Sequence, residues 1–239
     1  MSETDKKRIL VIPDVHGRDF WKRPVAETPC DKIIFLGDYF DPYDDEYITS
    51  EEALQNFDEV MKLKQQNPEK VVLLWGNHDL HYASELFRQL ACGSRYDATF
   101  APIIASSLLA HATDFHLAHE EKIGETRYLF THAGVTSMWY ELHRDIIQEL
   151  TAENLNSLLK TQKGTIALSE VGASRRGRDS FGGMMWADVD EMSCSDPFPG
   201  IYQIFGHTQN RRGPVITDHY ACLDCRRAFL LDNSGLKKV

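Results

Sequence analysis

The chain has 239 residues, of which 42% are hydrophobic and 26% charged, with a formal net charge of −10. Those proportions are ordinary for a folded protein and exclude extensive disorder. The acidic balance disfavours non-specific binding to nucleic-acid phosphates, which attract an excess of Lys and Arg, yet it leaves a phosphate-bearing substrate open, because bound divalent cations reverse the local sign at a site.

The opening Met1–Arg8 is polar and charged, and the apolar run after it breaks at Pro13-Asp14. A signal peptide has a different shape, and no stretch approaches the ~20 apolar residues of a membrane helix. Five cysteines, odd in number and scattered, argue against a disulfide framework, so a cytoplasmic location is expected. Cys222 and Cys225 form a lone C-x-x-C that reads as two buried thiols on a strand.

Five short apolar runs predict strands: Arg8–Pro13, Lys32–Leu36, Lys70–Trp75, Arg127–Thr131 and Ile201–Phe205. Their near-continuous Ile, Val, Leu and Phe suit strands buried on both faces. Between the second and third, Ser50–Gln66 predicts a helix, with Glu51 and Glu52 at its start and Asn67-Pro68 ending it. Further helices are predicted over His81–Leu90, Ala101–Ala112, Ser137–Leu150 and from Ala152, where Thr151 supplies a cap. Gly172–Gly183 is a Gly-, Ser- and Arg-rich loop. Arg226–Leu231 predicts a final strand before the turn Asn233-Ser234-Gly235. Alternating strands and helices indicate α/β layering, and with no repeat or linker a single domain over residues 1–239 is expected.

Each of the five runs leads directly into residues able to bind a metal: Asp14-Val15-His16-Gly17, Gly37-Asp38-Tyr39-Phe40-Asp41, Gly76-Asn77-His78-Asp79, His132-Ala133-Gly134 and Gly206-His207-Thr208. In α/β sheets ligands sit beyond the carboxyl ends of the strands, so residues distant in sequence converge there. Carboxylates, imidazoles and an amide oxygen suit Mn, Fe, Zn or Mg. A carboxylate such as Asp38 can bridge two cations, and two metals about 3.5–4 Å apart polarise a phosphoryl group and acidify an attacking water. Any single His, or a Gly-Asn turn, is commonplace; five such patterns in one structural context are not.

This ordered set resembles the calcineurin-like metallophosphoesterases over residues 9 to about 232. The resemblance implies a four-layer α/β/β/α sandwich, with two facing mixed β-sheets and a two-metal site at the strand carboxyl ends. It implies two divalent ions, Mn or Fe/Zn with Mg also open, held by Asp14 and His16 on one metal, Asn77, His132 and His207 on the other, and Asp38 bridging. It further implies a hydrolase of phosphate esters in which a metal-bridging hydroxide attacks phosphorus, His78 protonates the leaving oxygen and Asp79 orients the His78 ring.

Gln209 stands where many relatives have a second His, as in the serine/threonine phosphatase and dinucleotide-tetraphosphatase branch. That branch follows Gly-Asp-x-x-Asp with a phosphate-gripping Arg-Gly; here Pro42-Tyr43 follows Asp41. Arg178 and Arg176, in the loop before Met184–Asp188, are therefore the candidate substrate clamp, since guanidinium grips phosphate in a bidentate manner. A nucleotide or dinucleotide-polyphosphate hydrolase is the alternative enzyme, and a non-catalytic metal-binding interaction module the alternative of another class.

Overall fold

The computed structural model describes residues 7–239, so the polar segment Met1–Lys6 lies outside the described residues. The chain enters through β1 (Ile9–Ile12) and α1 (Lys22–Glu27), followed by β2 (Lys32–Phe35), α2 (Ser50–Gln66) and β3 (Val71–Leu74). Two helices follow, α3 (Asn77–Ala83) and α4 (Glu85–Ala91), then α5 (Ala101–Ala110) and a short β4 (Phe115–His116). The second half builds β5 (Ala118–Ile123), β6 (Thr126–Thr131), β7 (Ile201–Phe205), β8 (Val215–Ile216), β9 (Tyr220–Cys222), β10 (Phe229–Asp232) and β11 (Gly235–Lys238).

The strands form two sheets, ordered β11-β10-β1-β2-β3-β4 and β5-β6-β7-β9-β8. Both are mixed. β1 to β4 run parallel and β10 antiparallel to β1, while β6, β7 and β9 run parallel with antiparallel β5 and β8 on the flanks. Alternation along each strand divides the core. Ile9, Val11, Ile34, Leu36, Val72 and Leu74 meet Phe130, Ile204 and Ala221 of the facing sheet. Leu10, Ile12, Ile33, Phe35, Val71 and Leu73 instead pack with Phe57, Val60 and Met61 of α2. On the far side, Leu129 belongs with Trp139 and Leu155 from the helices Ser137–Leu142 and Ala152–Ser157. This is the α/β/β/α sandwich, in which burial on both faces explains why the strand sequences lack polar alternation.

Local chemistry sets the element ends. Thr49 Oγ1 accepts from Glu52 N at 3.1 Å and the Glu52 carboxylate takes the Thr49 N–H at 2.8 Å, a reciprocal cap that starts α2. Thr151 caps Ala152–Ser157 as expected. Two predicted helices are each divided. Ser84 ends α3 and its hydroxyl caps α4, while His143 separates Ser137–Leu142 from Arg144–Ile147, which stops at Gln148 in a positive-φ conformation. β5 was not predicted, because AHEEKI keeps polar side chains on an edge strand that is only partly buried. Among the described residues no helix is long and apolar enough to cross a membrane.

Candidate metal centre

β1, β2, β3, β6 and β7 all end at one rim, and the chain turns sharply after each. Several of these turns place non-glycine residues in the left-handed region: His16 (φ 46°), Asp38 (φ 56°), Asp41 (φ 58°) and His207 (φ 64°). Two glycines are required by close approach. A Cβ on Gly76 would stand 2.1 Å from Asp38 Oδ1, and one on Gly206 would stand 2.0 Å from Asp14 Oδ1, so the carboxylates rest against bare backbone.

The six expected ligands, Asp14, His16, Asp38, Asn77, His132 and His207, are all brought together and buried. Hydrogen bonds behind the rings fix the exposed nitrogen of two of them. His132 Nδ1 donates to Leu36 O at 2.8 Å and His16 Nδ1 donates to Phe40 O at 2.6 Å, leaving Nε2 of each ring as a bare acceptor. His132 Nε2 lies 2.8 Å from Asn77 Oδ1 and 3.1 Å from His207 Nδ1, which is itself 3.0 Å from Asn77 Oδ1. His16 Nε2 faces Asp38 Oδ2, and His132 Nε2 faces Asp38 Oδ1, both at 3.5 Å. His132 Nε2 against Asn77 Oδ1, and His16 Nε2 against Asp38 Oδ2, are acceptors facing acceptors, which repel unless a cation lies between them. Atoms about 2.1 Å from one divalent cation and at right angles to each other stand about 3 Å apart, which fits this spacing. The donor set therefore fits two divalent metals, with Asp38 facing both groups of ligands.

Electrostatics agree. Burial holds His16 and His207 well below the ordinary imidazole range, with His78 the next cause for His16 and Arg175 for His207, which favours the neutral form that binds metal. Burial and the nearby Asp14 push Asp38 well above the usual carboxylate range, so its anionic form needs a positive counterpart.

Asp224 is a further buried carboxylate near Asp14. Sequence reasoning missed it because β9 is only three residues long, with Asp224 just beyond its end. It is 1% exposed, both of its carboxylate oxygens lack a hydrogen-bond partner, and burial followed by Asp14 raises its pKa. Cys222 ends β9 with its thiol directed to the carbonyls of Gly206 and Thr208, whereas Cys225 lies beyond the strand.

His78 is buried beside the centre, but Asp79 does not orient it. The Asp79 carboxylate accepts the backbone N–H groups of Gly76 and Asp38 at 2.8 Å and of Tyr39 at 2.9 Å. Successive side chains of a helix diverge by about 100°, so Asp79 on α3 cannot face its neighbour's ring. The partner is Asp41. Its Oδ2 accepts from His78 Nδ1 at 2.7 Å and lies 2.8 Å from His81 Nε2, and its Oδ1 accepts from the Tyr82 hydroxyl. His81 Nδ1 takes the Gly93 N–H at 3.1 Å, which puts the His81 proton on Nε2, facing Asp41. Burial would raise Asp41, but the hydrogen-bonded His78 and the adjacent His81 outweigh it and hold the pKa below the ordinary value. Burial brings His78 down to about 4, although Asp41 acts to raise it.

The predicted arginine clamp lies elsewhere. Arg176 and Arg178 line an adjoining cleft of about 700 Å³, whose wall includes Trp186, edge-on to His207 at 5.7 Å. Arg175 is pinned to Asp188 at 2.7 Å and to Thr208 Oγ1 at 2.7 Å, so it braces the turn carrying His207. Gln209 Oε1 accepts from Arg211 Nε at 3.2 Å.

No curated protein matches the chain. Among solved structures, a protein serine/threonine phosphatase from Saccharomyces cerevisiae, with similarity to human phosphatase PP5, shares the fold. The match covers 96% of this chain and 74% of that one at 14% identity, with a TM-score of 0.54. The sequence profile of the calcineurin-like phosphoesterases matches residues 7–211, and with the metal-capable rim those residues build, the chain belongs to the calcineurin-like phosphoesterase family.

Proposed function

We propose that the chain hydrolyses phosphate esters at a two-metal centre in which Asp14 and His16 hold one cation, Asn77, His132 and His207 hold the other, and Asp38 spans both. The observation that carries this reading is the packing of His132 Nε2, left bare by the bond behind its ring, with Asn77 Oδ1 and His207 Nδ1 within 2.8–3.1 Å of one another, beside a His78 bonded to a buried carboxylate. When bound, the cations supply Lewis acidity to the phosphoryl group and acidify the attacking water.

The chain's own residues do the rest. His78 stands with Nδ1 on Asp41, so Nε2 is the atom that can carry a proton to the departing oxygen. Asp41, held by His78, His81 and Tyr82, keeps that ring oriented and stabilises its protonated form. Asp79 holds the backbone of Gly76, Asp38 and Tyr39, and so positions the bridging carboxylate. The cleft lined by Arg176 and Arg178 adjoins the centre and is open to the organic part of an ester. Mn is the metal to try first, followed by Fe, Zn and Mg.

The test uses an aryl phosphate with metal-loaded, chelated and reloaded protein, followed by a panel of phosphomonoesters, phosphodiesters, nucleotides and phosphopeptides. Chelation should abolish turnover and Mn should restore it. His78→Asn should keep its metal and slow turnover by about 10²–10⁴-fold, less for leaving groups of low pKa. Full activity in protein shown by elemental analysis to be metal-free would sink the reading.

A further inference from the structure

Pro42-Tyr43 follows Asp41, so no arginine stands directly after the second motif, and Arg178 is exposed on the neighbouring cleft. Another guanidinium takes a place at the centre. Arg95 follows α4 in a left-handed conformation (φ 65°), rare for a long side chain and costing about 1–2 kcal/mol, and from there it reaches back over the second motif. Its Nε donates to Asp41 O at 3.0 Å, and its Nη1 donates to Ser94 Oγ at 3.2 Å. Its Cζ lies 3.8 Å from the centre of the Tyr43 ring, whose edge meets His16 at 5.2 Å. Its charge is felt at His16, Asp38 and His78.

Two other guanidiniums approach the same tyrosine, Arg18 at 5.2 Å and Arg226 at 5.9 Å, but both are tied to Glu46 at 2.8 Å. Among the described residues no carboxylate side chain pairs with Arg95, and its Nη2 is buried without any hydrogen-bond partner. A buried, unpaired guanidinium N–H is costly. This one is oriented by two hydrogen bonds and by stacking on Tyr43, whose ring also meets His16, which leaves it a fixed donor near the centre suited to an anion.

We propose that Arg95 binds the substrate directly, its Nη2 donating to a non-bridging oxygen of the phosphoryl group held at the metal centre. The proposal rests on the phosphoesterase reading above and assigns the clamp to Arg95 in place of Arg178.

The test compares Mn-loaded wild type, Arg95→Met, Arg95→Lys and Arg178→Ala. For each, KM and kcat for aryl phosphates of differing leaving group, the inhibition constant of inorganic phosphate, bound metal and Tm are measured. Loss of a hydrogen bond to a charged group is expected to raise both the phosphate inhibition constant and KM of Arg95→Met about 10- to 100-fold with metal content unchanged. Arg95→Lys keeps the charge but not the fork and should fall between wild type and Arg95→Met, which keeps the test decisive if the Met variant unfolds. Arg178→Ala should leave phosphate inhibition as in wild type. An unchanged phosphate inhibition constant in Arg95→Lys and Arg95→Met would overturn the proposal. So would a loss confined to kcat and graded by leaving group, because Arg95 would then act only through Asp41 and His78. Wild-type protein that holds metal yet neither hydrolyses esters nor binds phosphate would overturn the phosphoesterase reading, and the Arg95 assignment with it.

Discussion

Asp41 and Asp79 are both buried acids close to His78, and exchanging each for asparagine separates chemistry from architecture. Asp79 receives three backbone N–H groups, from Gly76, Asp38 and Tyr39, all at 2.8–2.9 Å. An asparagine amide has one accepting oxygen and turns its NH2 toward a donor it cannot accept from. Hydrogen bonds to a charged acceptor contribute about 1.5–3 kcal/mol each, and disrupting a buried charge network costs about 3–5 kcal/mol. For a chain of this size each kcal/mol moves Tm by about 2–4 °C, so Asp79→Asn should lower Tm by about 6–20 °C. Asp41→Asn keeps an oxygen for the two imidazoles but loses the charge that stabilises protonated His78. Its Tm should change less, while kcat for poor leaving groups should fall about 10- to 100-fold. Differential scanning calorimetry and a leaving-group series on the same preparations read both effects. A stable Asp79→Asn with a leaving-group-dependent defect, beside an unaffected Asp41→Asn, would refute the assignment of His78 to Asp41.

Metal removal should destabilise the fold. At a free metal concentration 100-fold above Kd the bound form gains about 2.7 kcal/mol, so chelation should lower Tm by about 5–11 °C. Asp38 and Asp224 have pKa values raised above the unfolded ones, so in metal-free protein their protonated forms favour the fold at low pH and this support is lost as pH rises. The Tm gap between loaded and chelated protein should therefore widen from acidic to neutral pH; a gap that narrows would contradict it. Asp224→Asn should raise the Tm of metal-free protein by removing an uncompensated buried charge, and should weaken metal binding about 10- to 100-fold by titration. Unchanged affinity would detach Asp224 from the centre.

Much of this was legible in the sequence because the strands are buried on both faces and their ends are marked by glycine beside a metal-capable residue. The same reading applied to Tyr220–Cys222 would have reached Asp224, but three residues carry too little periodicity to declare a strand. For Asp79 the family resemblance implied a pairing with His78, whereas the start of α3 at Asn77 turns the two side chains apart and sends Asp79 to the backbone of a different strand end. Arg95 gives no local signal at all. Its place depends on α4 ending at Ala91 and on a left-handed residue folding the chain back over Tyr43.

The left-handed turns at His16, Asp38, Asp41 and His207 bear on any attempt to transplant this centre into another scaffold. Each such residue costs about 1–2 kcal/mol relative to a relaxed conformation, about 4–8 kcal/mol over the four, which rivals the net stability of a typical domain. A designer who copies only the side chains onto ideal strand ends would find their backbones relaxing to negative φ and the donor atoms swinging out of register. The unit that must be grafted is the strand with its turn and the sandwich interior that restrains it. A host of low intrinsic stability would unfold before it could hold the geometry.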